Sequence, residues 1–229
     1  MWGDTMFGEK KTIDIKSVLI IGLGRFGHHA ALQYTQLGCE VMAVDIHEER
    51  VNQIADSVNS VVIGDTTNEA VLKSLGVSNF DLCLVTIGSD FESSLITTAL
   101  LKDLGASFVI AKAGSELHGK FLLRNGADQV VYPEKEMAAH LAVRTTTQNV
   151  LDFVELTENI GIFEVPVPSA WAGKGIGEMA IRIRHNLTVL VVKNKDKIVI
   201  PGPDYVFLGS ERIMVLGSRE DVAKLQGLS

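Results

Sequence analysis

The sequence predicts an α/β protein, a doubly wound parallel sheet followed by a small α+β unit, and three observations carry that prediction. Short apolar runs rich in β-branched residues alternate with helix-like segments from Ser17 to Glu134, as in a parallel sheet built with right-handed crossovers. The first run, Val18 to Ile21, passes directly into glycines at 22, 24 and 27. Beyond Asn159 the runs crowd together, with short helical stretches among them, and a different kind of unit begins. A chain of 229 residues has room for both.

Taken in order, residues 1 to 15 read as a polar arm ahead of the first strand. Strands are expected at VLII (18 to 21), VMAV (41 to 44), VVIG (61 to 64), LCLVTI (82 to 87), FVIAK (108 to 112) and QVVYP (129 to 133). Helices fill the gaps at Gly27 to Leu37, Glu48 to Val58, Glu69 to Leu75, Phe91 to Leu104 and Glu116 to Arg124. Six strands and five crossovers complete a Rossmann-type unit over 16 to 134, with the expected strand order 3-2-1-4-5-6 and a ligand crevice where that order reverses. Residues 135 to 158 read as a connector, helical through Val150, whose apolar Met137, Leu141, Val150 and Leu151 suit a contact between subunits. The second unit, 159 to 229, is expected as strand 161 to 166, helix 176 to 184, strands 187 to 193, 197 to 200 and 212 to 216, and helix 221 to 225. About 70 residues make a marginal core alone, so pairing with a second copy is expected.

Composition narrows the function. The mean hydropathy is +0.22, yet no apolar run approaches the roughly 18 residues of a spanning helix. Buried parallel strands account for it. A net charge of −7 offers no bulk attraction to nucleic acid or to an anionic membrane. Cys39 and Cys83 fall at or in strands without C-x-x-C spacing and read as small buried hydrophobes in a reducing compartment. The first residues lack the apolar core of a signal peptide, so a cytoplasmic location is expected. The Asn186 sequon is then idle.

The glycine spacing carries the chemistry. Gly22 permits the tight turn, Gly24 lets backbone N–H groups approach a pyrophosphate, and Gly27 lets the following helix pack on the strand. The helix N-terminus then favours an anion. Asp45 ends the second strand near the spacing at which an acid hydrogen-bonds a ribose hydroxyl, and it should repel a 2′-phosphate. The other strand ends offer His47, Asp65 and Thr66, Ile87 to Ser89, Lys112 to Gly114, and Glu134. Each has a second reading: Asp65-Thr66-Thr67 and Ser89-Asp90 as helix caps, Pro133-Glu134 as a helix start, Lys112 as a solvated strand end. Arg25 puts a permanent cation inside the glycine motif, suited to a terminal phosphate. No G-x-x-x-x-G-K-[ST] cradle is present, and the six histidines form no metal spacing.

With GLGRFG at 22 to 27, VD at 44 to 45, GDTT at 64 to 67 and VYPE at 131 to 134, the chain resembles the RCK family, regulators of potassium conductance. Within it, the cytosolic regulatory subunits of Ktr/Trk potassium uptake systems are the nearest likeness. The resemblance implies an octameric ring built from dimers, ATP or ADP in the crevice (NAD or NADH in some members), and a membrane potassium transporter as partner at the inner face of the membrane. It makes Arg25 a γ-phosphate contact reaching across from a neighbouring subunit, with Phe26 in the same motif, and Asp45 the ribose ligand. Asp65 and Thr66 would address adenine, and Ile87, Gly88, Ser89, Lys112, Ala113, Gly114 and His118 would complete the pocket. Glu134 would sit near a divalent cation by the phosphates. His47 departs from the asparagine often found two residues after the acid. The Ktr branch further implies cyclic di-AMP at a dimer interface of the small domain, with Arg184, His185, Asn186 and Pro201 as candidates; the residues themselves equally suit a helix C-terminus and a turn. Two function classes follow: a non-enzymatic nucleotide sensor for potassium transport, and an NAD-dependent oxidoreductase or NADH-linked sensor. The small second unit weighs against an oxidoreductase.

Overall fold

The computed structural model describes residues 14–88, 90–146, 150–157, 159–195 and 197–226. Most of the expected N-terminal arm, and Ser89, lie outside them. The chain divides into two compact units that meet in sequence between Glu136 and Met137.

The first unit is the doubly wound sheet. Strands β1 (Ser17–Ile21), β2 (Glu40–Asp45), β3 (Ser60–Ile63), β4 (Leu82–Val85), β5 (Val109–Lys112) and β6 (Gln129–Val131) lie in the order β3-β2-β1-β4-β5-β6, every pair parallel. Period-two alternation sends Val18 and Ile20 of β1 into one apolar cluster with Ala31, Val51 and Ile54, and Leu19 and Ile21 into another with Leu72, Leu101 and Leu122. The sheet is therefore buried on both faces, which explains a positive hydropathy without a membrane segment. Among the described residues no helix is long and apolar enough to cross a membrane.

Helices α1 (Arg25–Gln36), α2 (Glu48–Asn52), α3 (Glu69–Leu75), α4 (Phe91–Asp103), α5 (Glu116–Arg124) and α6 (Pro133–Thr146) follow the strands in turn. Asn68 Oδ1 caps α3 through the Ala70 N–H, so the cap is not the Asp65-Thr66-Thr67 run. Asp90 caps α4 and Ser115 caps α5. The expected helix from Glu48 stops at Asn52 and continues as turns.

The second unit is an antiparallel sheet, β10-β9-β11-β8-β7. Its strands are β7 (Asp152–Glu155), β8 (Ile160–Pro166), β9 (Thr188–Asn194), β10 (Lys197–Val199) and β11 (Arg212–Ser218). Helices α7 (Ile176–Met179), α8 (Ile181–His185) and α9 (Arg219–Gln226) accompany them. Two expectations are corrected. Residues 152–155, read as connector, form β7: Phe153 turns inward, opposite Phe163 of β8, and stacks on it at 6.1 Å. The helix expected over 176 to 184 is two, broken where Ala180 takes a left-handed φ of 46°.

Candidate functional site

A cavity of about 740 Å³ opens at the carboxyl ends of the central strands, beside the order reversal between β1 and β4. Its floor is the glycine turn. Gly22 has φ of 93°, donates its N–H to the Val44 carbonyl at 2.8 Å and accepts Thr86 Oγ1 on its own carbonyl at 2.5 Å. A Cβ on Gly27 would overlap that carbonyl and the Thr86 hydroxyl, so this glycine lets α1 lie against the turn. Gly24 differs. Nothing stands within 4 Å of where its Cβ would be, and it caps α1 at the cavity's edge. Bare backbone and the unpaired N–H groups of a helix start are what this end presents.

Beside the glycine turn, Asp45 closes β2 and is 5% exposed. Its Oδ2 accepts the Leu23 N–H at 2.6 Å and faces Arg50 Nη1 at 3.3 Å; its Oδ1 accepts the His47 N–H at 2.8 Å. A carboxylate has about four lone-pair sites, so capacity is left for a ligand hydroxyl. After β3, Asp65 Oδ1 accepts both the N–H and the hydroxyl of Thr67, at 2.9 and 2.7 Å. The buried Thr66 hydroxyl meets that of Thr97 at 3.0 Å.

Arg25, the exposed first residue of α1, and Lys112, the last of β5, bring two cations to the cavity. Lys112 Nζ lies 2.5 Å from Glu134 Oε1 and 6.0 Å from the centre of the Phe26 ring. The bonded ammonium holds the Glu134 carboxyl below the usual glutamate range, and Arg25 adds a smaller pull. Arg25 forms no ion pair among the described residues.

Of the residues singled out by sequence, Gly22, Gly24, Arg25, Phe26, Asp45, His47, Asp65, Thr66, Ile87, Gly88, Lys112 and Glu134 border this cavity. Gly27 packs beneath it. Ala113, Gly114 and His118 do not border it. His118 is instead buried between α4 and α5: Nδ1 accepts the Gly114 N–H at 3.4 Å, which leaves Nε2–H to donate to Ser94 Oγ at 2.7 Å. The ring lies 4.8 Å from that of Phe91. Sequence reasoning missed Arg50, Thr86, Thr67 and Ser93, all of which border the cavity. Thr86 sits inside an apolar run, and Arg50 follows Glu48 and Glu49 in a segment whose pattern announces only a helix.

Glu134, at which a divalent cation is implied, borders the cavity. Among the described residues no three His, Cys, Asp or Glu side chains gather around a common point, and this carboxylate already holds Lys112. In the second unit, Arg184 is exposed, His185 packs its ring 5.5 Å from that of Trp171, and Asn186, in the left-handed conformation at the end of α8, donates to Asp221 Oδ2 at 2.9 Å. No hydrogen bond joins these residues to Pro201 among those described.

Fold and cavity thus define a Rossmann-type unit of the kind that binds nucleotides, followed by a small antiparallel domain. The TrkA-N domain profile matches residues 18–133 and the TrkA-C domain profile matches residues 160–228. The chain belongs to the RCK-type family of Ktr and TrkA potassium uptake proteins. It is 38% identical over 212 residues to Ktr system potassium uptake protein C of Bacillus subtilis, covering 92% of this chain and 96% of that one. Potassium uptake protein A of the same organism is 33% identical over the same coverage. Among solved structures, the GsuK RCK domain superposes with a TM-score of 0.65 at 23% identity, over 93% of this chain and 47% of that one. The GsuK channel bound to NAD gives 0.64 at 23% identity, over 93% and 39%. This chain spans less than half of those solved chains, and the likeness is one of fold.

Proposed function

We propose that the chain is a nucleotide-sensing regulatory subunit of a membrane potassium transporter, without chemistry of its own. An adenine nucleotide lies in the first unit's cavity, and subunits assemble as dimers within a ring. The observation that carries this reading is the lining of the cavity: a buried acid suited to ribose, held against the glycine turn, shares it with bare helix-start backbone, Arg25 and Lys112. Three side chains and the Gly24 backbone are thus arrayed for a sugar and a run of phosphates. A sensor needs differential affinity, since a ligand that binds two states equally shifts nothing. Arg25, unpaired and always charged, is suited to telling ATP from ADP.

The test is calorimetry on Arg25→Ala with both nucleotides. ATP affinity should fall by about tenfold or more, the loss of a charge-assisted hydrogen bond, and ADP affinity by less. Equal losses would show that Arg25 does not read the terminal phosphate. Tight NADH binding with neither ADP nor ATP bound would favour the dinucleotide reading.

A further inference from the structure

We propose that the ribose end of the cavity admits adenine nucleotides carrying a 2′-phosphate, with Arg50 as the residue that admits them; the proposal rests on the nucleotide reading above. Asp45 taken alone argues for exclusion, because a buried carboxylate at the ribose repels a phosphate on its 2′-oxygen. The structure adds a cation that changes the balance. Arg50 Nη1 lies 3.3 Å from Asp45 Oδ2, so beyond a few ångströms the two charges act as a dipole and not as a net negative charge. The partners are unequally placed: the Asp45 side chain is 4% exposed and that of Arg50 45%. A ligand therefore meets the positive end of the pair.

The guanidinium has donors to spare. Only Nη1 is engaged by protein, and Nε and Nη2 donate no hydrogen bond to the described residues. A planar fork with free N–H groups matches two phosphate oxygens at once. His47 borders the same end of the cavity, and its ring makes no hydrogen bond among the described residues. Glu48 and Glu49, the acidic neighbours in sequence, are exposed and do not border the cavity. Asp45 can hold a free 2′-hydroxyl and Arg50 can hold the phosphate that replaces its proton, so one site serves both ligand classes.

Adenosine 5′-monophosphate and adenosine 2′,5′-bisphosphate differ only in that phosphate, and titrating the full chain with each isolates it. Wild-type protein is expected to bind the two within about threefold of one another. Arg50→Ala should bind the bisphosphate at least about tenfold more weakly than the monophosphate, with Arg50→Lys between, since a point charge replaces the fork. Wild-type protein that rejects the bisphosphate by more than about tenfold overturns the proposal. So does Arg50→Ala protein that loses both ligands equally, which would make Arg50 only a positioning residue for Asp45. Failure to bind either ligand overturns the proposal, and failure to bind ADP and ATP as well overturns the nucleotide reading itself.

Discussion

Gly27 sits where a methyl group has nowhere to go, because the atoms it would meet are the Gly22 backbone carbonyl and a hydroxyl already bonded to it. Gly27→Ala should lower stability by about 1–3 kcal/mol, read as a lower urea midpoint at unchanged slope. Gly24→Ala should change stability by no more than about 0.5 kcal/mol while weakening ADP, since the proposed phosphates would occupy the open space beside Gly24. ADP binding unaltered by that change would argue against a phosphate lying there. His118 supplies a pH dependence. Burial pushes its imidazole below the ordinary range, so between about pH 6.5 and the lowered value the unfolded chain binds a proton that the folded chain does not. Unfolding is thereby favoured as pH falls, and the neutral ring's contribution is full only above about pH 6.5. Urea midpoints should drop from pH 7.5 to 5.5 more steeply in wild type than in His118→Asn. Equal slopes would remove His118 from the account.

At the scale of elements, the ion pair between the end of β5 and the first turn of α6 is the informative contact. Lys112 is the cation a phosphate would want, and Glu134 already has it at 2.5 Å. Glu134→Gln removes the competing charge and keeps the shape, so in EDTA it should tighten ADP and ATP by about two- to tenfold. Weaker binding would instead mean that Glu134 assists the phosphates, as a ligand to a shared cation would. Elements also mark where pattern reading stopped. The run from Ile176 to Arg184 has helical spacing throughout, and no residue in it signals that Ala180 turns left-handed. Strand β7 has only four residues, too few for an alternation to be seen behind a helical segment. Its pairing with β8 settles the matter.

On the scale of the whole molecule, α6 is the chain's path from one unit to the other, and two of its apolar residues face solvent, Met137 at 66% and Leu141 at 50%. Apolar side chains at that spacing on an exposed helix suit burial against another copy. Light scattering is expected to return an assembly larger than a monomer, and Leu141→Glu to reduce it. A monomer with and without ATP would contradict the ring.

What the sequence determined by itself was whatever depends on local pattern. Alternating apolar runs set the parallel strands and their order, and glycines at 22, 24 and 27 with Asp45 marked the crevice, because turn, cap and strand-end chemistry are written in neighbouring residues. Tertiary structure decided what depends on residues far apart in the chain meeting. It set Arg50 against Asp45 and Lys112 against Glu134, put Thr86 beneath Gly22, took His118 out of the cavity and into the space between α4 and α5, and made residues 152–155 a strand by supplying β8 as a partner. Spacing along one segment carries no record of such meetings, since a side chain's charge partner is chosen by the fold that brings two strand ends together.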